Sequence, residues 1–360
     1  MSRLHAHRAD LLALLPLWAL SRLLYSIPIL IGALSATPTG MENRPGFPLV
    51  ADAFWYASIG ATGYHAEPLV GGLHDVAFWP LWGIVERLLA GGSSDLDAVA
   101  WAGTIAAPLL LLAAGVTWRG LFRVRGREDL AALLPLVLFF GPAGYVGSLA
   151  YSEPLFLLLS GIALRSASAS GVIAGLIAGL TRPTGVLLGA AALLRHGLGL
   201  RRRLLLAIAP LLGLAIYLFT AALITGRPDP WALTGGGSWL ETTGQAKGVI
   251  GWFIEFLDDP LLLFATAWWW LPIGIATAGL TVIARDERLR DLALLCALTI
   301  GVVIITGLWS SAPRMALAAL PALVAGWSLI PRRPRRLLMA MTTSGGAAAG
   351  GIAAADLIDP

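Results

Sequence analysis

The chain has 360 residues, 57% of them hydrophobic and 13% charged, with a formal net charge of +4 and a mean hydropathy of +0.78. A soluble domain carries about 25% charged residues, so this composition excludes a soluble globular protein and points to an integral membrane protein. Its apolar runs are continuous rather than alternating, which excludes a closed β-barrel. The expected fold is all-α, a polytopic transmembrane helical bundle of about 9–11 spans with short connections.

The charge pattern reports topology rather than a polyanionic partner, and no nucleic-acid contact is expected. Arginines cluster between apolar runs, at Arg119–Arg127, Arg195–Arg203, Arg285–Arg290 and Arg332–Arg336, where cytoplasmic loops are expected. Acids collect in the intervening loops, among them Glu42, Asp52, Glu67, Asp75, Asp95, Asp97, Asp229, Glu241, Glu255, Asp258 and Asp259.

Arg3 and Arg8 precede an apolar stretch from Leu11 to Leu34. It exceeds the roughly 7–15 residues of a signal-peptide core, so it reads as an uncleaved first span with a cytoplasmic N-terminus. The loop over 35–97 then lies outside. Within it, Val50–Gly60 and Ala77–Leu89 are aromatic and too short to span, and are expected as interfacial helices on the outer face. Ala98–Trp118 returns to the inside, and Leu130–Ala150 with Leu155–Leu164 forms a hairpin whose turn, Gly147–Pro154, faces outward.

Gly171–Leu194 is interrupted by Thr181-Arg182-Pro183-Thr184-Gly185. A single span there would put Arg195–Arg203 outside, whereas a broken hairpin that dips in and returns satisfies the charge rule. Leu204–Leu223 leads to a second outer loop over 225–259 with Trp231, Trp239 and Trp252, residues suited to a membrane interface. Leu261–Ala284, Leu292–Leu308 and Met315–Ile330 complete a single transmembrane domain over 1–336. The Ala/Gly-rich tail, 337–360, reads as a last span or a frayed end.

Four charged residues stand alone among apolar neighbours. Asp52, in Ala51-Asp52-Ala53-Phe54-Trp55-Tyr56, has two readings: a helix N-cap, or a base at the water–lipid boundary for a hydroxyl that attacks a lipid-linked sugar. Glu153, before Pro154 and an apolar run, is either helix-start chemistry or a second acid facing a shared outer cavity. Arg182 and Arg314 either snorkel to the interface or bind a phosphate, with Arg314 the preferred phosphate ligand. His65, Glu67, His74 and Asp75 match no metal-ligand spacing and read as a solvated loop, so no metal is expected. Gly235-Gly236-Gly237 lacks the context of a P-loop, and Cys296 is a small apolar side chain. No cofactor is specified.

Several words, taken in order, resemble the PIG-V-type mannosyltransferases of the GT-C class. They are Asp52 with Trp55-Tyr56 and Gly63-Tyr64, then Ala77-Phe78-Trp79-Pro80-Leu81, then Tyr151-Ser152-Glu153-Pro154-Leu155-Phe156. Arg182-Pro183-Thr184-Gly185 and Arg314 with Leu317 and Pro321 complete the set. Two departures stand out: Ala51 where the family has an aromatic, and Pro154 where it has a small polar residue.

The resemblance implies a GT-C-like bundle in the cell membrane that inverts the anomeric carbon of a polyprenyl-phosphate-linked hexose, mannose by family. Its active site faces outside. Asp52 is then the base, Glu153 an assisting acid, Arg314 and Arg182 the phosphate ligands, and Trp55, Tyr56, Tyr64, Phe78, Trp79 and Tyr151 the substrate wall. The near absence of lysine (Lys247 alone) points to a GC-rich bacterial genome, so the implied acceptor is a glycolipid, lipoglycan or exported protein. Two other classes stay open: a transporter or lipid flippase, which needs charges lining a path near mid-span, and a non-catalytic membrane partner of the same fold, which tolerates loss of Asp52.

Overall fold

The computed structural model describes residues 3–35, 47–49, 51–69, 73–230, 257, 260–306 and 311–354. The described residues form the expected polytopic helical bundle. Among the described residues, four helical segments are each long and apolar enough to cross a bilayer alone: His7–Leu34, Leu96–Val124, Leu200–Thr225 and Ala312–Leu329. Leu12, Leu23, Ile27 and Ile31 on the first, and Ile208, Phe219 and Leu223 on the third, are exposed, as a lipid-facing surface requires.

In chain order, α1 covers Arg3–Ser35, α2 Asp52–Thr62, α3 Pro80–Leu89, α4 Leu96–Val124, α5 Glu128–Phe140, α6 Glu153–Arg165 and α7 Ala169–Gly179. They are followed by α8 Leu188–Leu193, α9 Leu200–Thr225, α10 Pro260–Arg285, α11 Arg290–Thr306, α12 Ala312–Ala316, α13 Leu320–Leu329 and α14 Arg332–Ala354. The second outer loop with Trp231, Trp239 and Trp252 lies outside the described residues. The tail reads as helix: α14 packs along α1, with Gly346 against Tyr25 and Gly350 against Ile29.

Local chemistry sets several boundaries. Asp95 caps α4, its side chain accepting from Ala98 N at 2.7 Å. Gly226 ends α9 in the left-handed region, at φ 65°. Gly141-Pro142 stops α5 ten residues before the expected end of its span, and a 3-10 turn at Gly144–Ser148 leads into Tyr151-Ser152-Glu153.

One expectation about these helices needs correction. The helix α2 does not lie on the membrane surface, because Ala53 and every residue from Trp55 to Ala61 are buried. Its small side chains let it enter the bundle between α3 and α4. At the crossing, a Cβ on Gly60 would stand 2.5 Å from Gly83 O, so only hydrogen fits. The helix α3 keeps an outward apolar face through Ile84, Leu88 and Leu89.

The interrupted segment is a broken hairpin. Arg195, after α8, donates to Ser166 O at 3.0 Å and to Arg165 O at 3.2 Å, before α7, so the chain returns to the end it left. The same end gathers the other basic clusters. Asp10 pairs with Arg119 and Arg123, Arg125 forks onto Asp291 at 2.7 Å, and Arg127 reaches Asp286 at 2.6 Å.

From Arg165 at that end to Glu153, α6 runs 13 residues, about 20 Å, which is less than the ~30 Å hydrocarbon core. Glu153, at the opposite end of α6 from that basic end, is buried inside the bundle.

Candidate active site

Four separate segments converge around Glu153. The start of α2 brings Asp52, the start of α6 brings Glu153, the break after α7 brings Arg182, and α12 brings Arg314. Arg314 Nη1 donates to Asp52 Oδ2 at 2.5 Å, and its Nε stands 3.9 Å from Glu153 Oε1. Arg182 Nη1 meets the same Glu153 oxygen at 2.6 Å. The result is an alternating chain of two acids and two bases, and each carboxylate has a guanidinium partner as burial demands.

Neutral groups hold the charges in place. Ser152 Oγ accepts from Arg182 Nη1 at 3.1 Å and exchanges a hydrogen bond with Tyr56 Oη at 2.8 Å. Arg314 Nη2 donates to Ser311 Oγ at 2.9 Å, and its guanidinium lies 4.9 Å over the Tyr151 ring. Among the described residues, Arg314 Nε meets no hydrogen-bond acceptor, and the Glu153 carboxylate makes ion contacts without a hydrogen bond of good geometry.

Asp52 is not an N-cap. It occupies the first turn of α2, no side chain caps that helix, and its carboxylate is spent on Arg314 instead. The residue before it, Ala51, sits at φ 48°, a conformation that costs a non-glycine residue of order 1–3 kcal/mol. The two ends of the chain of charges, Asp52 and Arg182, keep 15% and 13% of their side chains exposed, against 3% for Glu153 and 7% for Arg314 between them.

The aromatic residues divide into two groups. Trp55 stacks on Phe78 with ring planes 3° apart, and Tyr56 meets Phe78 edge-on, so these three form a wall beside the charges. Tyr64 and Trp79 belong to the next layer. Tyr64 donates to Phe78 O at 2.6 Å, and Trp79 stacks on Tyr217 with centroids 4.4 Å apart.

The loop with His65, Glu67, His74 and Asp75 is solvated only in part: Glu67 is exposed, whereas Asp75 is fully buried. It accepts from His65 N at 3.0 Å and faces His65 Nδ1 at 2.8 Å and His74 Nδ1 at 3.0 Å. Tyr217 ties the turn to α9 by donating to Val76 O. The carboxylate braces the loop carrying Phe78, and among the described residues no His, Cys, Asp and Glu group has the arrangement of a metal site.

Sequence reasoning missed Ser152 and Ser311. Ser152 lay inside the quoted word Tyr-Ser-Glu-Pro, so its signal was adjacency to Glu153; Ser311 had none beyond nearness to Arg314.

No protein-family model and no curated protein matches the chain. Among solved structures it is similar to ArnT from Cupriavidus metallidurans bound to undecaprenyl phosphate, at 18% identity and a TM-score of 0.49, over 89% of this chain and 62% of that one. It is also similar to the Archaeoglobus fulgidus oligosaccharyltransferase, at 12% identity and a TM-score of 0.45, over 93% of this chain and 53% of that one. The chain thus spans between half and two-thirds of their length, and likenesses at this level assign no residue a role.

Proposed function

We propose that the chain is an inverting membrane glycosyltransferase that moves a hexose from a polyprenyl-phosphate-sugar to an acceptor hydroxyl at the outer face. The observation that carries this reading is the single centre formed by Asp52, Glu153, Arg182 and Arg314, built from segments up to 262 positions apart. Mannose is the sugar that the sequence words favour, and a glycolipid, lipoglycan or exported protein is the acceptor they favour.

In this reading the acceptor hydroxyl approaches the exposed part of the Asp52 carboxylate. Its oxygen attacks the anomeric carbon on the face opposite the phosphate while Asp52 Oδ takes the proton. The carbon–oxygen bond to phosphate breaks, and its electron pair leaves with the polyprenyl phosphate. Charge then grows on the phosphate oxygens, where Arg314 and Arg182 stabilise it by charge-assisted hydrogen bonds.

Arg314 supports both steps. Without donor it neutralises Asp52, and a bound phosphate competes for the same guanidinium, freeing the carboxylate to act as a base. Its Nε, which meets no acceptor among the described residues, is a donor available to a phosphate oxygen. Glu153, held between the two arginines, fixes their spacing and orients whichever hydroxyl enters beside it. Trp55, Tyr56 and Phe78 offer the aromatic faces that sugar C–H groups pack against.

Membranes containing the chain, given polyprenyl-phosphate mannose labelled in the sugar, test this reading. Labelled product with the anomeric configuration opposite to that of the donor is expected. Retention of configuration would rule out the single displacement.

A further inference from the structure

A groove lies away from the Asp52 centre, toward the basic end of the bundle. With a volume of about 590 Å³, it runs between α1, α5 and α14, with Arg332, Arg335 and Arg336 at its mouth and Leu24, Leu136 and Met339 along its walls. The helix α14 runs in the same direction as α1, so its arginine-rich start lies toward the Asp10 end, where the other basic clusters collect. Unlike Arg123, Arg125 and Arg127, which are paired with acids, Arg332 and Arg336 are exposed and have no acidic partner among the described residues.

We infer that this groove binds one anionic phospholipid of the leaflet on the basic side. The lining extends from Arg332 to Ser344, about 18 Å along a helix and close to half of the ~30 Å hydrocarbon core, the reach of an acyl chain in one leaflet. Unpaired guanidiniums at the headgroup level suit a phosphodiester, and the apolar wall suits the chain below it. A second copy of the protein fits poorly, since a two-fold contact would set two arginine clusters of like charge against each other. The site is separate from the Asp52 centre and does not rest on the proposed reaction.

Native mass spectrometry of the full chain, equilibrated with phosphatidylglycerol or phosphatidylcholine, tests the inference. One bound phosphatidylglycerol is expected, retained at least tenfold better than phosphatidylcholine. Replacing Arg332, Arg335 and Arg336 together by glutamine should cost at least tenfold. Ala340→Trp, which fills the groove but keeps every charge, should do the same, whereas glutamine at Arg201 and Arg202 on α9 should change nothing. Equal retention of the two lipids, unchanged binding in Ala340→Trp, or equal loss in the α9 control would overturn the site. So would a dimer sealed at this face.

Discussion

Replacing Arg314 by methionine removes the one side chain that reaches both acids of the centre. At 2.5 Å from Asp52 and an effective dielectric near 20, the gross attraction is about 6–7 kcal/mol. Desolvation of both ions offsets roughly half of that, and breaking a buried pair typically costs about 3–5 kcal/mol. The lower end applies here, because Asp52 retains partial access to water and Glu153 keeps Arg182 at 2.6 Å.

The expected loss is therefore about 3 kcal/mol of stability, and Asp52→Asn in the same chain should restore about 1–2 kcal/mol by removing the stranded charge. Thermal unfolding in detergent of the parent, both single variants and the double variant closes the cycle. Strict additivity, or a loss below about 1 kcal/mol for Arg314→Met, would refute the view that this pair is a buried, coupled unit.

Gly83→Ala should destabilise by about 1–3 kcal/mol and lower sugar transfer, since its Cβ would sit 2.5 Å from Tyr56 O and push α2, with Asp52, off α3; melting and transfer assays check both. Glu86, in α3, is buried against Gly103, its carboxylate makes no hydrogen bond of good geometry among the described residues, and burial pushes its carboxyl well above the ordinary range. The folded state then keeps a proton that the unfolded state releases above about pH 4.3, so stability should fall as pH rises from there toward the folded pKa, at up to about 1.4 kcal/mol per pH unit. Glu86→Gln should flatten that slope in melts from pH 5 to pH 8. Arg182→Gln should reduce transfer by at least tenfold and, if the phosphate assignment holds, raise the donor concentration needed for half-maximal rate, a shift that initial-rate kinetics would detect.

Much of the centre was legible because the sequence is so apolar. In such a chain a lone Asp52, Glu153, Arg182 or Arg314 stands out, since an isolated charge at membrane depth is costly. Their partnership was not legible, because Asp52 and Arg314 are brought together by tertiary packing across most of the chain. The positive-inside rule read the broken hairpin correctly from Arg195, whose bonds to Ser166 and Arg165 close it. It failed to foresee the burial of α2, because aromatic content suggested an interface while Ala53, Ala57, Gly60 and Ala61 decided the packing. Asp75 misled for a related reason: an acid between two histidines in a loop looks solvated until those histidines and Tyr217 are seen to enclose the turn.

The most direct test of the proposed reaction compares sugar transfer from labelled polyprenyl-phosphate mannose by the parent and by Asp52→Asn at equal membrane abundance. The account predicts transfer by the parent and a loss of at least 10²-fold in the variant, the scale of a lost general base. Equal transfer by both would contradict Asp52 as the base, and transfer by neither would contradict the proposed donor.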